Sequence, residues 1–440
     1  MREAYNFMWT MKINYNNKIL CFFATLGLFS VLFFRVSFSS QYYYGTAIFL
    51  PFLYIGLISM LVLSIAYFLS LNKFFVNDMV YFSSFLILVY ILLHFLSLSK
   101  LIAPHEFLLK YKTDFFDLPV NVNIIGAFIF VVFNVIFPQF IHKLLKFELA
   151  KRYILIAGYV NLFIAITQWF FFTTGVEFFL GVYRVGVGGS DGLIYHRASG
   201  LFTNPFPFAV FMIVVSWLSM LKIKERVTIK SNFHTFVFLL ASFLSNSKTA
   251  IVISIVLILL IFFMQNKIAK FWFSIFGGAT LLAIISLLKM SADVSGYLRI
   301  LDASQYSDIS RLSRLSEAIP AILESPIFGY GYDIQFYTDN IILYLLLSGG
   351  LIHLFLWFLF AFSPFLAIKN YYHNENASVG RISLSTYFLF IIIIQIIQST
   401  ITSSYYSIPN WFVIILVFYY VRQSFLSRLI SEESLSESPK

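Results

Sequence analysis

Long apolar runs separated by short polar segments make up most of the chain. A helix needs about 20 apolar residues to cross the hydrocarbon core of a bilayer, and most of the runs approach that length. We therefore predict an all-α membrane protein with about twelve transmembrane helices. The predicted spans are residues 19–34, 45–71, 79–98, 122–141, 153–172, 205–221, 233–245, 250–264, 271–290, 341–368, 383–400 and 411–421.

Basic residues fall unevenly between alternate connecting segments. If the N-terminus is cytoplasmic and each run crosses once, most Lys and Arg lie on the cytoplasmic side, among them Lys143, Lys146, Lys151 and Arg152. Acidic residues show the opposite bias. An excess of Lys and Arg is typical of cytoplasmic loops, so both termini are expected there. The basic segment before the first run, without a small-residue cleavage site, favours an anchor over a cleaved signal peptide.

The composition argues against a water-exposed globule and against a nucleic-acid-binding protein. Hydrophobic residues reach 60% and charged residues only 11%, whereas a soluble domain is roughly one quarter charged. The net charge of +10 is spread over short loops and forms no single basic face. Cys21 is the only cysteine, so the chain can form no internal disulfide and no cysteine-based metal site.

We treat residues 1–440 as a single membrane domain. The segments on the predicted cytoplasmic side are short, but three on the other side are long: residues 99–121, 173–204 and 291–339. Long connections in a compact protein are usually functional or disordered. Because 173–204 and 291–339 keep apolar residues at intervals, we predict that these two are folded outer loops.

The first constellation of candidate functional residues is the segment from Tyr195 to Pro205, which enters the sixth predicted span. Asn204 is a natural N-cap, and Pro is tolerated in the first turn of a helix. A guanidinium from Arg197 beside the free N–H groups of a helix start could bind an anion. An interfacial Arg bonded to lipid headgroups or to a loop carboxylate explains the same residues equally well.

The second is an amphipathic stretch from Asp308 to Glu324. Its apolar residues at helical spacing predict a helix lying against the membrane, capped by Asp308 or Ser310 and kinked or split at Pro320. Arg311 and Arg314 are three residues apart and should project together, as a pair that could grip a diphosphate. Pairing within the helix to Asp308 and Glu317 is the alternative without a ligand.

The third is the segment from Ser325 to Tyr332, in which Gly329 and Gly331 permit a tight bend. Asp339 and Asn340 follow at the mouth of the tenth predicted span. A carboxylate there is either a helix N-cap or a general base facing an outer cavity. Gly349 and Gly350 inside that span predict a break or a close helix contact.

Several motifs of other protein classes are absent from the sequence. The chain has no Gly-rich phosphate loop, no paired-His metal spacing and no Gly-x-Ser-x-Gly. The predicted spans carry almost no charge, only mild polar residues such as His94, Gln168, Gln395 and Gln398. No metal and no cofactor is expected, and ion-coupled transport normally needs more intramembrane charge.

The order of these motifs resembles that of the O-antigen polymerase and O-antigen ligase superfamily of bacterial envelope enzymes. Arg-x-x-Gly-x-Phe-x-Asn-Pro, from Arg197 to Pro205, enters a span, and Ser247 to Ala250 form a Ser-Lys-Thr-Ala turn. Ser313-Arg314 opens an outer helix, and Pro-x-x-Gly-x-Gly follows from Pro326 to Gly331. A polar pair and a span with Gly-Gly complete the series.

The resemblance implies a GT-C-like, metal-independent glycosyltransferase of the inner membrane that acts on undecaprenyl-diphosphate-linked oligosaccharides at the periplasmic face. By position, Arg197 and Arg314 would hold the diphosphate, with Arg311 or Arg184 assisting. Charge neutralisation by arginine can replace a metal at such a leaving group. A chain-length regulator protein is a possible partner of such an enzyme.

One departure favours a polymerase of O-antigen or capsular repeat units over a ligase. Ligases of this superfamily tend to carry His-Asn at the polar pair, and this chain has Asp339-Asn340. Asp339 would then act as the base and Asn340 as an orienting group. A ligase that transfers polymer to lipid A core and a flippase for lipid-linked oligosaccharides are the alternatives.

Overall fold

The computed structural model of the chain is almost entirely helical. It describes residues 18–32, 79–97, 105–110, 130–171, 198–202, 205–221, 229–245, 253–259, 306–331, 340–372, 378–379, 382–402 and 408–436, with a few single positions between these ranges. Within this part of the chain, the exception is an antiparallel pair of two-residue strands, β1 (Ser378–Val379) and β2 (Ile382–Ser383). The predicted all-α class is confirmed.

The helices follow the apolar runs. Over the described residues they are α1 (Lys18–Leu32), α2 (Met79–Ser97), α3 (Glu106–Lys110), a π-helical turn (Val132–Ile136), α4 (Phe137–Leu144), α5 (Phe147–Phe171), α6 (Pro205–Met220), α7 (Ile229–Phe243), α8 (Tyr306–Glu324), α9 (Ile341–Tyr372), α10 (Leu384–Thr402) and α11 (Ile408–Ser436).

Two helix bounds differ markedly from the predicted spans. Helix α5 begins at Phe147 rather than at residue 153, and α11 continues to Ser436 rather than ending at 421. In both cases a charged segment continues the helix beyond the apolar run, because backbone hydrogen bonding does not require an apolar sequence. The predicted spans 45–71 and 271–290 lie almost wholly outside the described residues.

Two helices are long and apolar enough to cross a membrane, judged by length and composition over the described residues: Phe147–Gln168 and Ile341–Lys369. Shorter apolar helices accompany them at Lys18–Leu32, Phe82–Leu93, Pro205–Met220, Phe233–Phe243 and Phe388–Ile397. This pattern weakly suggests association with a membrane.

Helix α6 is the centre of the packing. Among its residues only Phe206 is partly exposed, because a helix that is apolar all round must be enclosed on every side. Large aromatic side chains fill the space around it: the Trp217 ring lies 5.0 Å from Phe388, and Trp411 lies 5.2 Å from Phe360. These contacts tie α6, α9, α10 and α11 into one core.

Hydrogen bonds between helix termini define two ends of the bundle. At one end Lys151 Nζ donates to the Leu221 carbonyl at 2.7 Å, and the Tyr420 hydroxyl donates to the Leu145 carbonyl at 2.7 Å. We call it the basic end, because the residues it gathers include Lys143, Lys146, Lys151, Arg152, Lys369 and Arg422.

The opposite end, which we call the site end, holds the start of α6. There the Ala198 N–H donates to the Leu244 carbonyl at 2.9 Å, just after α7. Asn410 Nδ2 donates to the Pro207 carbonyl at 3.4 Å, which places the start of α11 at this end. Phe388 near the start of α10 contacts Trp217 near the end of α6, so α10 runs towards the site end. Trp357 and Phe360 in the middle of α9 contact Trp411 in the first turn of α11, which places that part of α9 at the site end as well.

Candidate functional site

The candidate site residues differ in how far the structure describes them. Arg197, Arg184 and Asp339 lie outside the described residues. Arg311 belongs to helix α8, but its side chain is outside the described part. Arg314 and Asn340 are described, as is the chain immediately after Arg197.

The turn that follows Arg197 is held by two buried amide side chains of α5. Gln168 Oε1 accepts the N–H groups of Ser199 at 3.0 Å and Gly200 at 2.9 Å, and its Nε2 donates to the Gly200 carbonyl at 3.0 Å. Asn161 Oδ1 accepts the Leu201 N–H at 2.9 Å. Since every residue from 198 to 202 is buried, these side chains replace the water that the turn would otherwise need.

Gly200 is the residue that allows this turn to sit so close to α5. Its φ of +55° belongs to the left-handed region, and a Cβ there would come within 2.7 Å of Asn161 Oδ1. The backbone directly after Arg197 is therefore fixed from both sides. Sequence reasoning noted Gln168 only as a mild polar residue and missed Asn161, because neither residue's spacing indicates which loop it contacts.

Arg314 lies on the side of α8 that faces the protein. The residues one and two turns later on this face, Ala318 and Ala321, are fully buried, and Arg314 itself is partly buried. They belong to a small apolar cluster that joins three segments of the chain and also includes Phe107, Leu108, Tyr330, Leu343 and Leu347. Arg314 thus stands at the edge of this cluster, at the site end.

Much of the apolar face of α8 does not pack on the bundle, although Ile322 is partly buried against the Ala318 and Ala321 cluster. Leu315, Ile319 and Leu323 are 40%, 47% and 71% exposed, and Ile327 and Phe328 continue this exposed strip. Small alanines, rather than the large aliphatic residues, form the packed face because they let α8 approach α9 closely. An exposed apolar strip of this kind is suited to an apolar surface such as a membrane.

Two further expectations for this helix were wrong. Pro320 lies inside the helix and does not split it, whereas the alternative of a kink stays a prediction. Asp308 and Ser310 do not cap the start, because the helix already begins at Tyr306. Glu317 forms an ion pair with Lys110 Nζ of the short helix α3 at 2.7 Å, and its pairing with an arginine of α8 stays a prediction.

The segment from residue 99 to 121 contributes more to the site than the sequence suggested. Besides Lys110, it supplies His105, whose Nε2 lies 3.4 Å from Glu324 Oε1. The single proton of the Tyr330 hydroxyl is shared between the Ala321 carbonyl at 2.8 Å and Glu324 Oε2 at 3.1 Å. Burial, helped by Glu324, raises the pKa of Tyr330 to about 12, so this hydroxyl stays protonated.

The Pro-x-x-Gly-x-Gly segment and the Gly-Gly pair of α9 form one interlocked unit. The Tyr330 and Gly331 N–H groups donate to the Leu347 and Ser348 carbonyls at 2.7 and 2.8 Å. In return, the Leu351 N–H donates to the Pro326 carbonyl at 2.9 Å. The predicted break in this helix is confirmed, and the close backbone contact at Gly350 is made with the Pro326–Gly331 segment rather than with another helix.

The backbone conformation of Gly350 explains how the Pro326–Gly331 loop can hydrogen-bond to the backbone of α9. Gly350 leaves the helical region with φ +66° and ψ −164°, which frees groups that the loop then pairs. The freed Gly349 carbonyl accepts a hydrogen bond from the Tyr90 hydroxyl at 2.7 Å. Tyr90 therefore ties α2 to the same unit.

Asn340 caps α9. Its Oδ1 accepts the N–H of Ile342 at 2.8 Å and that of Leu343 at 3.4 Å, so Asn340 takes the N-cap role that the sequence allowed for Asp339. With Oδ1 committed to the cap, an orienting role for Asn340 falls to its Nδ2 group.

No family model matches the chain, and no curated protein matches it. Among the described residues, no group of three or more His, Cys, Asp or Glu side chains is arranged to hold a metal ion. Over the described residues, the protein is almost entirely helical, with two candidate membrane-crossing helices and a polar cluster at one end of the bundle.

Proposed function

We propose that the chain is a polytopic membrane glycosyltransferase that polymerises undecaprenyl-diphosphate-linked oligosaccharide repeat units into O-antigen or capsular polysaccharide. In this proposal about twelve helices cross the bacterial inner membrane, both termini are cytoplasmic, and the site end faces the periplasm. Arg197 and Arg314 bind the diphosphate, assisted by Arg311 and Arg184, and Asp339 acts as the base beside Asn340.

One observation carries the proposal: the turn directly after Arg197 and the helix that bears Arg314 are tied to the same part of the bundle. The turn is bonded to the ends of α5 and α7, and α8 packs on the first turns of α9, a helix whose Trp357 and Phe360 contact the start of α11 at the site end. A diphosphate leaving group gains negative charge as its bond to the sugar breaks. Preorganised guanidinium groups stabilise such charge without a metal.

The charge distribution supports the proposed orientation. Lys143, Lys146, Arg152, Lys369 and Arg422 all lie at the basic end, and an excess of basic residues is typical of the cytoplasmic side. The exposed apolar strip of α8 supports a position of that helix against the outer leaflet, where a lipid-linked substrate would be presented.

The test is polysaccharide length in cells that carry single arginine variants. We expect Arg197→Ala and Arg314→Ala each to lower polymerisation by about two orders of magnitude, so that long chains disappear while single repeat units are still made. Arg152→Ala is the matched control, because Arg152 is an exposed arginine at the basic end. Normal chain ladders in both site variants would contradict the proposal.

Deletion of the gene separates the proposal from its alternatives. Loss of a polymerase leaves one repeat unit attached to the lipid A core, whereas loss of a ligase leaves the core bare. Elongation of lipid-linked repeat units by the purified protein excludes a flippase, because a flippase moves the substrate without joining sugars.

A further inference from the structure

Glu324 is an exposed carboxylate at the point where three segments of the chain meet. It is the last residue of α8, and its side chain is 62% exposed. His105 approaches Oε1 at 3.4 Å, and Tyr330 donates to Oε2 at 3.1 Å. The side of the carboxylate that faces the protein therefore contacts His105 and Tyr330, and its other side is exposed to solvent.

The hydrogen bonds of His105 determine how it acts on Glu324. Its Nδ1 lies 3.0 Å from the Phe107 backbone nitrogen, which donates its N–H to the ring. The proton of the neutral imidazole is then on Nε2, the nitrogen that faces Glu324. His105 consequently presents its N–H side to the carboxylate at 3.4 Å, a charge–dipole contact rather than a close hydrogen bond, and its Nδ1 is already occupied by the Phe107 N–H.

Glu324 keeps acceptor capacity after these contacts. A carboxylate has about four lone-pair positions, and the hydrogen bond from Tyr330 occupies only one of them. Hydrogen bonds to an ionised acceptor are stronger than neutral ones. A fixed carboxylate with open acceptor positions is suited to neighbouring hydroxyl groups, which are the main donors of a sugar.

We propose that Glu324, positioned by His105 and Tyr330, binds hydroxyl groups of a sugar in the lipid-linked oligosaccharide. This inference rests on the proposed function and adds a substrate subsite to it. The sugar bound there is not the one attached to the diphosphate but one further along the oligosaccharide.

The helix geometry decides against Glu324 as the catalytic base. Arg314 and Glu324 are ten residues apart on α8, which at 1.5 Å per residue separates their Cα atoms by about 15 Å. Long helical side chains lean towards the N-terminus, so the Arg314 guanidinium extends away from Glu324. A base must come within about 3 Å of the proton it removes.

A purely structural role for Glu324 is less well supported than a binding role. The link between α3 and α8 already has an ion pair, Lys110 to Glu317 at 2.7 Å, and the apolar contacts of Phe107 and Leu108. Glu317 faces a full positive charge. Glu324 faces an imidazole nitrogen and a phenol and has no Lys or Arg among its ion-pair partners in the described part of the chain.

The experiment compares Glu324→Gln with Glu317→Gln in the purified full-length protein. Both variants remove one carboxylate from α8, and glutamine retains the shape and one acceptor oxygen. The probes are the native lipid-linked repeat unit, extracted from a strain lacking this protein, and the free oligosaccharide released from it. We expect Glu324→Gln to raise KM and to weaken binding of the free oligosaccharide, each about tenfold, with little change in kcat. Glu317→Gln should change none of the three.

A second pair of variants tests the positioning role of His105 without altering the carboxylate. His105→Phe removes the N–H that faces Glu324 and should raise KM severalfold. His105→Gln supplies an amide N–H in its place and should restore most of the affinity. A role limited to holding α3 on α8 predicts loss of thermal stability in His105→Phe with KM unchanged.

Three results would overturn the inference. One is a large fall in kcat at unchanged KM in Glu324→Gln, which would make Glu324 a group that acts in the transition state. Another is an equal effect of Glu324→Gln and Glu317→Gln. The third is binding of the free oligosaccharide that does not depend on Glu324. If the wild type binds the free oligosaccharide through Glu324 but never elongates the lipid-linked unit, the proposed function fails and the subsite stands.

Discussion

Two buried asparagines, Asn161 and Asn134, differ in what their side chains contact. Asn161 accepts the Leu201 N–H at 2.9 Å and donates to the Ala157 carbonyl at 2.9 Å. Asn134 lies in the π-helical turn, and neither its Oδ1 nor its Nδ2 has a hydrogen-bond partner among the described residues. Both side chains are fully buried, so the same substitution should have opposite effects at the two positions.

We predict that Asn161→Leu lowers the free energy of unfolding by about 2 kcal/mol, because it leaves the buried Leu201 N–H without an acceptor. Asn134→Leu should raise that free energy by about 1 kcal/mol, since it removes a buried amide that gains no hydrogen bond in return. The measurement is the thermal or denaturant unfolding of the purified protein in detergent.

The Asn161→Leu and Asn134→Leu variants also distinguish an effect on stability from an effect on activity. If both variants lose stability, Asn134 has a polar partner in the folded protein, such as a bound water. A stable Asn134→Leu variant with no activity would assign the π-helical turn to the site. Asn161→Leu should lose activity in any case, because it loosens the turn directly after Arg197.

At the scale of elements, the interlock between α9 and the Pro326–Gly331 segment depends on Gly350. A Cβ at Gly350 would overlap the backbone carbonyl of Ile327, and its φ of +66° is unfavourable for any other residue. We predict that Gly350→Ala costs about 3 kcal/mol or more and detaches the loop from the helix.

Gly278→Ala is the matched control for this prediction, because a Cβ there meets nothing within 4 Å. It should change the unfolding free energy by less than about 1 kcal/mol. Limited proteolysis of the 325–331 segment and unfolding in detergent are the measurements. Equal behaviour of the two variants would mean that the loop does not rest on α9 in the folded protein.

The elements themselves could largely be predicted from the sequence. Apolar runs and helical spacing depend on local sequence, which is why α8 and the break at Gly349-Gly350 were expected. The contacts that build the site could not be predicted. Nothing in the spacing of His105 links it to Glu324, and nothing around Gln168 links it to the turn after Arg197. These pairs become visible only when helices distant in sequence are packed together.

The packed face of α8 also could not be predicted from the sequence. Its aliphatic residues have the periodicity of a buried face, yet the protein packs Ala318 and Ala321 and leaves Leu315 and Ile319 exposed. Periodicity identifies an apolar face but not the surface that covers it. An apolar face covered by lipid and one covered by protein have the same sequence pattern.

At the scale of the whole molecule, the separation of a basic end from a site end makes a prediction about orientation in the membrane. Two exposed positions mark the ends: Arg152 at the basic end and Ser316 on α8 at the site end. Cys21 is the only native cysteine and donates its S–H to the Leu144 carbonyl at 3.4 Å. Replacing it with serine retains a donor and gives a background without thiols.

In the Cys21→Ser background we predict that Ser316→Cys reacts with a membrane-impermeant maleimide added to intact spheroplasts. Arg152→Cys should react only after the membrane is permeabilised, because an excess of basic residues marks the cytoplasmic side. The reverse labelling pattern would mean that the site end faces the cytoplasm, which would contradict the proposed periplasmic polymerase. Labelling of both positions without permeabilisation would mean that no membrane separates the two ends, and the polytopic architecture itself would then be wrong.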